Sequence, residues 1–175
     1  MTSTNKIKAL WANHTRCEFE LRDPEATMAT MTANPLVNGV PNMMGGNGYD
    51  EVYHFYKHHF IPCIPEQTEV TTLSCTVSDN RLVDEQIVRF VHDRTFDFFL
   101  PNIEPTGKTV VIPVVVIVYF ENDKVDKEHV YWDQASLLKQ IGYFQDETLP
   151  ILGVVQAQKM FDRSLPANQL LMRKV

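Results

Sequence analysis

The sequence is short of cysteine, has no dense basic stretch and has no apolar run long enough for a membrane. Its three cysteines, Cys17, Cys63 and Cys75, are odd in number and lack CxxC spacing. That pattern excludes a disulfide framework and a spaced zinc site, and leaves buried free thiols in a reducing compartment as the expectation. Lysine and arginine total 16 against 22 acids, a net charge of −6. Binders of nucleic acid and of anionic membranes need basic faces to meet phosphate, so neither partner is expected. The longest apolar run, Val110 to Phe120, is interrupted by Pro113 and falls short of the roughly 20 residues of a bilayer span. The opening "MTSTNKIKALWANHTR" lacks a signal peptide's apolar core. A cytoplasmic location is the expectation, and the sequon at Asn13 is read as chance.

Nucleotide and nucleophile motifs are also missing. "GGNG" follows no strand and precedes no Lys-Ser/Thr pair, so it is not read as a phosphate loop. No Gly-x-Ser-x-Gly elbow is present, which sets aside the usual serine hydrolase. The His54/His58 pair has metal-ligand spacing but faces solvent on a helical projection, and no metal is expected. With 44% hydrophobic and 22% charged residues, the 175-residue chain reads as one ordinary globular domain over 1–175. Residues 143–175 form a C-terminal extension on this reading.

What is present is a change of period along the chain. From Asn5 to Leu21 the apolar spacing is helical, and His14 and Glu18 fall on the apolar stripe. Asp23-Pro24 opens a second helix as N-cap and first position, with Pro35 expected to end it. "NPLVNGVPNMMGGNG" reads as loop. "GYDEVYHFYKHHF" reads as a third helix whose Tyr49, Tyr53 and Tyr56 share the inward face. After Pro65 the period becomes two. "TEVTTLSCTVS", "RLVDEQIVRFVHD", the doubly buried Val110–Phe120 run and "KVDKEHVYWD" give four strands in hairpin succession. "QASLLKQIG" and "VVQAQKMFDR" are short closing helices. The class is α+β, with three helices first and a strongly curved antiparallel sheet after.

Three stretches in this order, "GYDEVYHFYKHHF", "LPNIEPTGKTVVIP" and "NDKVDKEHVYWDQASLLKQIG", make the chain resemble the SnoaL-like branch of the nuclear-transport-factor-two-like superfamily. The resemblance runs from about Lys8 to Leu165, and Asn102 stands where that family commonly has glycine. It implies a cone (a cystatin-like α+β roll) whose sheet curls around the helices and leaves a cavity open at one end. It also implies a homodimer formed through the sheet and work without metal or cofactor. Members include polyketide cyclases, ketosteroid isomerases, epoxide hydrolases and dehydratases, relatives labelled as lactone hydrolases, and proteins that only bind. The shared fold therefore does not settle function.

Cofactor-free isomerisation or cyclisation needs a base beside a carbonyl and donors for the developing enolate. His92, flanked by Val88 and Phe90 on its strand, and Asp133, at the last strand's end, are the expected proton carriers. Asp97 or Glu128 would orient them. Asp133 equally suits the N-cap of the following helix, and Asp97 equally suits an ion pair with Arg94. Alternation puts Glu128, Val130 and Trp132 on one face of the last strand and His129, Tyr131 and Asp133 on the other. Tyr53, Tyr56, Tyr131, Trp132 and His14 are the expected pocket residues for a small hydrophobic oxygenated ring. The competing functions are a non-catalytic binding module and a hydrolase that activates water with an acid pair.

Overall fold

The structure is a computed structural model that describes residues 3–172. Helix α1 (Ser3–Arg16) runs into a wide π turn at Cys17–Leu21, and Arg22 closes it in a left-handed conformation at φ 51°. Helix α2 (Pro24–Ala29) starts as expected: the Asp23 carboxylate accepts a hydrogen bond from Ala26 N–H. It ends six residues before Pro35. Strand β1 (Met31–Gly39) follows and turns into β2 (Met44–Asn47). The segment read as loop therefore holds two strands. Its Pro35 sits in the irregular stretch where β1–β6 pairing breaks between Met31 and Leu36, so its missing N–H removes no ladder bond.

Helix α3 (Tyr49–Phe55) continues into a second π turn, Tyr56–Phe60. The extra residue in that turn shifts the helical face. Phe55 and Tyr56 are both buried, whereas Tyr49 is exposed and Tyr53 only half-buried. The phenol of Tyr53 donates to Glu25 at 2.5 Å and stays outside the core.

Strands β3 (Glu69–Val77), β4 (Arg81–Val91), β5 (Thr109–Glu121) and β6 (Lys124–Trp132) form the expected meander. The sheet order is β2-β1-β6-β5-β4-β3, with β1 parallel to β6. On β5 the even positions Val110 to Phe120 are buried and the odd ones half-buried, so the run is not buried equally on both faces. Each fully buried valine or phenylalanine there is worth about 1.5–3 kcal/mol. The Val111 N–H and carbonyl bond the Gln140 side chain, which continues the ladder where β6 has ended. Pro113 presents its nitrogen to the same side, just before pairing resumes at Val114, so it too breaks no bond.

Helices α4 (Gln134–Gln140) and α5 (Val155–Phe161) pack against β5. The last three residues of the C-terminal tail lie outside the described residues. Among the described residues the cysteines are free; Cys17 is buried, but Cys63 and Cys75 are only half-buried, contrary to expectation. No helix among those residues is long and apolar enough to cross a membrane.

Candidate functional site

The curled sheet and the two π-turned helices enclose a cavity of about 620 Å³. That is within the usual range for small-molecule sites, roughly 300–1,000 Å³. Phe55, Phe60, Phe96, Phe98 and Phe99 form an aromatic wall, and Val114, Val116 and Val130 form the sheet side. The mouth lies between α1, where Lys8 and Arg16 are exposed, and the edge strand β3. Two groups of polar side chains interrupt this apolar lining.

The first group gathers on α1, α3 and β6. Alternation on β6 turns Glu128 inward with Val130 and Trp132. The stripe on α1 turns His14 inward, and the π turn carries Glu18 inward after it. His14 Nε2 lies 3.1 Å from Glu128 Oε1 and 3.3 Å from Glu18 Oε1. The Tyr56 hydroxyl donates to Glu128 Oε1 at 3.2 Å. All four side chains are buried. Glu18, Glu128 and Tyr56 line the cavity, and His14 stands behind them.

The hydrogen bonds fix the protons. Thr30 donates its single hydroxyl proton to the Thr27 carbonyl at 2.6 Å, so His14 Nδ1, 2.5 Å from Thr30 Oγ1, must donate to it. Nε2 faces two carboxylates and must donate as well. His14 is therefore an imidazolium. Burial alone would lower its pKa, but the Glu18 and Glu128 carboxylates outweigh burial and raise it to about 10. Burial raises the Glu18 pKa, with the His14 charge opposing. Burial, then the charges of Glu128 and Glu18, raise the Tyr56 phenol well above its ordinary value, so it keeps its proton.

His14, Glu18 and Glu128 bring ligand atoms within 4.8 Å of one another, a set suited to a divalent cation. A metal would have to displace the Nε2 proton. With His14 titrating near 10, that competition weakens binding about a thousandfold at neutral pH.

The second group lies on the neighbouring wall. Asp84 Oδ2 accepts from Trp11 Nε1–H at 3.0 Å and from Gln86 Nε2–H at 2.7 Å. Trp11 stacks on the His14 ring, centroids 5.6 Å apart, and so joins the two groups. Sequence reasoning missed this set. Its signal is there on β4, where Asp84 and Gln86 alternate with apolar Leu82, Val88 and Phe90 on the inward face.

Of the expected residues, the structure brings together His14, Tyr56 and Glu128, with Glu18 from the same inward stripe of the first helix as His14. The others lie elsewhere. His92 is fully buried but does not border the cavity; its Nδ1 accepts from Thr106 N–H at 3.4 Å, and burial lowers its pKa. Asp97 pairs neither with His92 nor with Arg94 but with His59, at 2.9 Å. Arg94 instead meets Glu66 and Asp93. Asp133 is exposed and caps α4, accepting from Ser136 N–H and Oγ–H. The strand ends without a bulge at that point, so Asp133 keeps the outward face. Tyr131 points outward with it and is 42% exposed. Trp132 faces inward but packs on Phe98 and Phe99, outside the cavity lining. Asp133→Ala is expected to cost about 1 kcal/mol, the usual loss of an N-cap. A fall of about 2–4 °C in thermal midpoint would register it.

This curved sheet wrapped on helices is the fold of solved proteins described as NTF2-like, SnoaL-like and ketosteroid-isomerase-like. A solved protein described as a SnoaL-like polyketide cyclase, from Jannaschia sp. CCS1, is similar at TM-score 0.62 and 16% identity, over 81% of this chain and 94% of that one. An NTF2-like protein of unknown function from Burkholderia pseudomallei K96243 is similar at TM-score 0.59 and 18% identity, over 81% and 99%. The epoxide hydrolase/cyclase-like enzyme SalBIII, described in pyran ring formation, is similar at TM-score 0.57 and 15% identity, over 76% and 95%. No protein-family model matches the chain, and no curated protein does.

Proposed function

We propose that the protein is an enzyme that moves protons on a small, hydrophobic, oxygenated ring compound, as an isomerase or cyclase. The observation that carries this reading is a pair of buried carboxyl groups facing one apolar cavity in unequal environments. Glu128 accepts from Tyr56 and from the His14 imidazolium and is the base of the pair. Burial raises the Glu18 pKa against the opposing charge of His14, and Glu18 is the member of the pair that takes up a proton to serve as acid. Carboxyls set apart in this way divide into acid and base.

Glu128 takes the proton from carbon next to a ring carbonyl while Glu18 gives its proton to the carbonyl oxygen. The enol so formed is reprotonated at another carbon, or its carbon attacks an electrophile to close a ring. Tyr56 and His14 are positioning residues here, because their protons are committed to the carboxylates. The same pair suits a second reading, hydrolysis of a lactone or epoxide, with Glu128 activating water and Glu18 protonating the leaving oxygen. The likeness to an epoxide hydrolase/cyclase-like enzyme favours keeping it.

The test is exchange of the α-hydrogens of a ring ketone such as β-tetralone for deuterium, followed by NMR in heavy water. The protein is expected to accelerate exchange above buffer. Lactone or epoxide consumption without any ketone exchange would support hydrolysis and overturn the isomerase reading.

A further inference from the structure

Asp84 is a buried ionisable group on the cavity wall that the proton-transfer scheme leaves unused. It borders the cavity, is 4% exposed, and has both of its donors, Trp11 and Gln86, on Oδ2. Oδ1 is buried with no hydrogen-bond partner. An unpartnered buried carboxylate oxygen is costly, and such exceptions in native proteins call for a cause. With Trp11 and Gln86 holding Oδ2, Oδ1 keeps spare lone pairs for a donor arriving in the cavity.

The sheet register says where that donor would be. Asp84 pairs with Val116, which pairs with Val130 on β6, one inward-facing row from Glu128. Strands β4 and β6 are two spacings apart, about 10 Å. One ring compound can therefore reach Glu128 with one end and Asp84 with the other.

We infer that Asp84 is a second binding station, which anchors a hydroxyl group of the ligand at the end remote from Glu18 and Glu128. A hydroxyl fits better than an ammonium. The surroundings are Leu82, Val88 and the aromatic wall, where stripping water from a full charge costs far more than from a hydroxyl. The inference rests on the cavity being the substrate site proposed above. It goes further by naming a feature of the substrate, a hydroxyl across the ring system from the reacting carbonyl.

The informative variant is Asp84→Asn, because the existing donors dictate its orientation. Trp11 and Gln86 both donate, so they hold the amide oxygen where Oδ2 was. The amide NH₂ then replaces Oδ1, and the station changes from acceptor to donor. The probes are three phenyl-substituted cyclohexanones bearing a para hydroxyl, a para methoxy or a plain hydrogen, with binding read by calorimetry.

Wild-type protein is expected to bind the hydroxyl compound about tenfold or more tightly than the methoxy compound, the scale of a hydrogen bond to a charged group. Asp84→Asn is expected to abolish that preference, because an amide NH₂ donates equally to a hydroxyl and to a methoxy oxygen. A ratio between two ligands on one sample is insensitive to a fraction of unfolded protein. An unchanged preference in Asp84→Asn overturns the anchor, as does tighter binding of a para aminomethyl analogue by the wild type. If none of the ketones binds, the anchor and the substrate cavity fall together. If the preference is lost in Asp84→Asn but no ketone exchanges deuterium, the anchor stands and the proton-transfer reading alone fails.

Discussion

Glu128→Gln is expected to slow ring-ketone exchange by roughly 10²–10⁴-fold, the usual contribution of a positioned general base. The amide keeps the size of the side chain, and its oxygen still accepts from Tyr56 and from His14 Nε2–H. What disappears is the lone pair that takes the proton and the charge that faces the imidazolium. Substrate binding is expected to change little, because the aromatic wall is untouched. Glu18→Gln should also slow exchange but with a different signature. The rate would lose its decline on the alkaline side, since the group that must stay protonated is gone. A full set of rates against pH for wild type and both variants distinguishes the roles. Wild-type rates in Glu128→Gln would remove Glu128 as the base.

His14→Gln is expected to destabilise the fold by about 3–5 kcal/mol at neutral pH, the scale for stripping one partner from a buried charged cluster. Its effect should depend on pH in a definite sense. The folded His14 titrates near 10 against an ordinary value of 6.5, so the native state binds the proton more tightly than the unfolded chain. The stabilisation is complete below 6.5 and is lost as pH rises through about 10. Glu18, also raised, pulls in the same direction, since a carboxyl that prefers its proton when folded loses stability as pH climbs past its unfolded value. The gap between wild type and His14→Gln in urea midpoint should therefore be widest on the acid side and close towards the alkaline end. A gap that stays constant over that range would mean that His14 is not an imidazolium in the fold.

The sheet and the site differ in how far sequence pattern reaches them. The meander from β3 to β6 follows from local alternation and could be read directly. Strands β1 and β2 could not, because β1 is shaped by pairing with a strand about ninety residues later and β2 forms against β1, and Pro35 and the glycines mimic loop composition. For the site, periodicity placed His14 and Glu18 on one inward stripe and separated Glu128 from Tyr131 and Asp133. It could not choose which face of β6 looks inward, since both carry aromatic and acidic residues. Nor could it bring α1 against β6, more than a hundred residues away. His92 was attractive for its apolar flanks, but those flanks mark a core position as readily as a cavity one.

Glu18 and Tyr56 each ride on a π turn, Cys17–Leu21 and Tyr56–Phe60. Such a turn is an α-helix carrying one surplus residue, and π turns occur often at functional sites. A single-codon deletion in either would relax the coil to ordinary pitch and swing every later side chain through about 100°. The residues that follow, Phe19 and Phe60 on the cavity wall among them, thus take their directions from these two surplus residues, and the shape of the chamber is written in helix pitch as well as in side-chain identity.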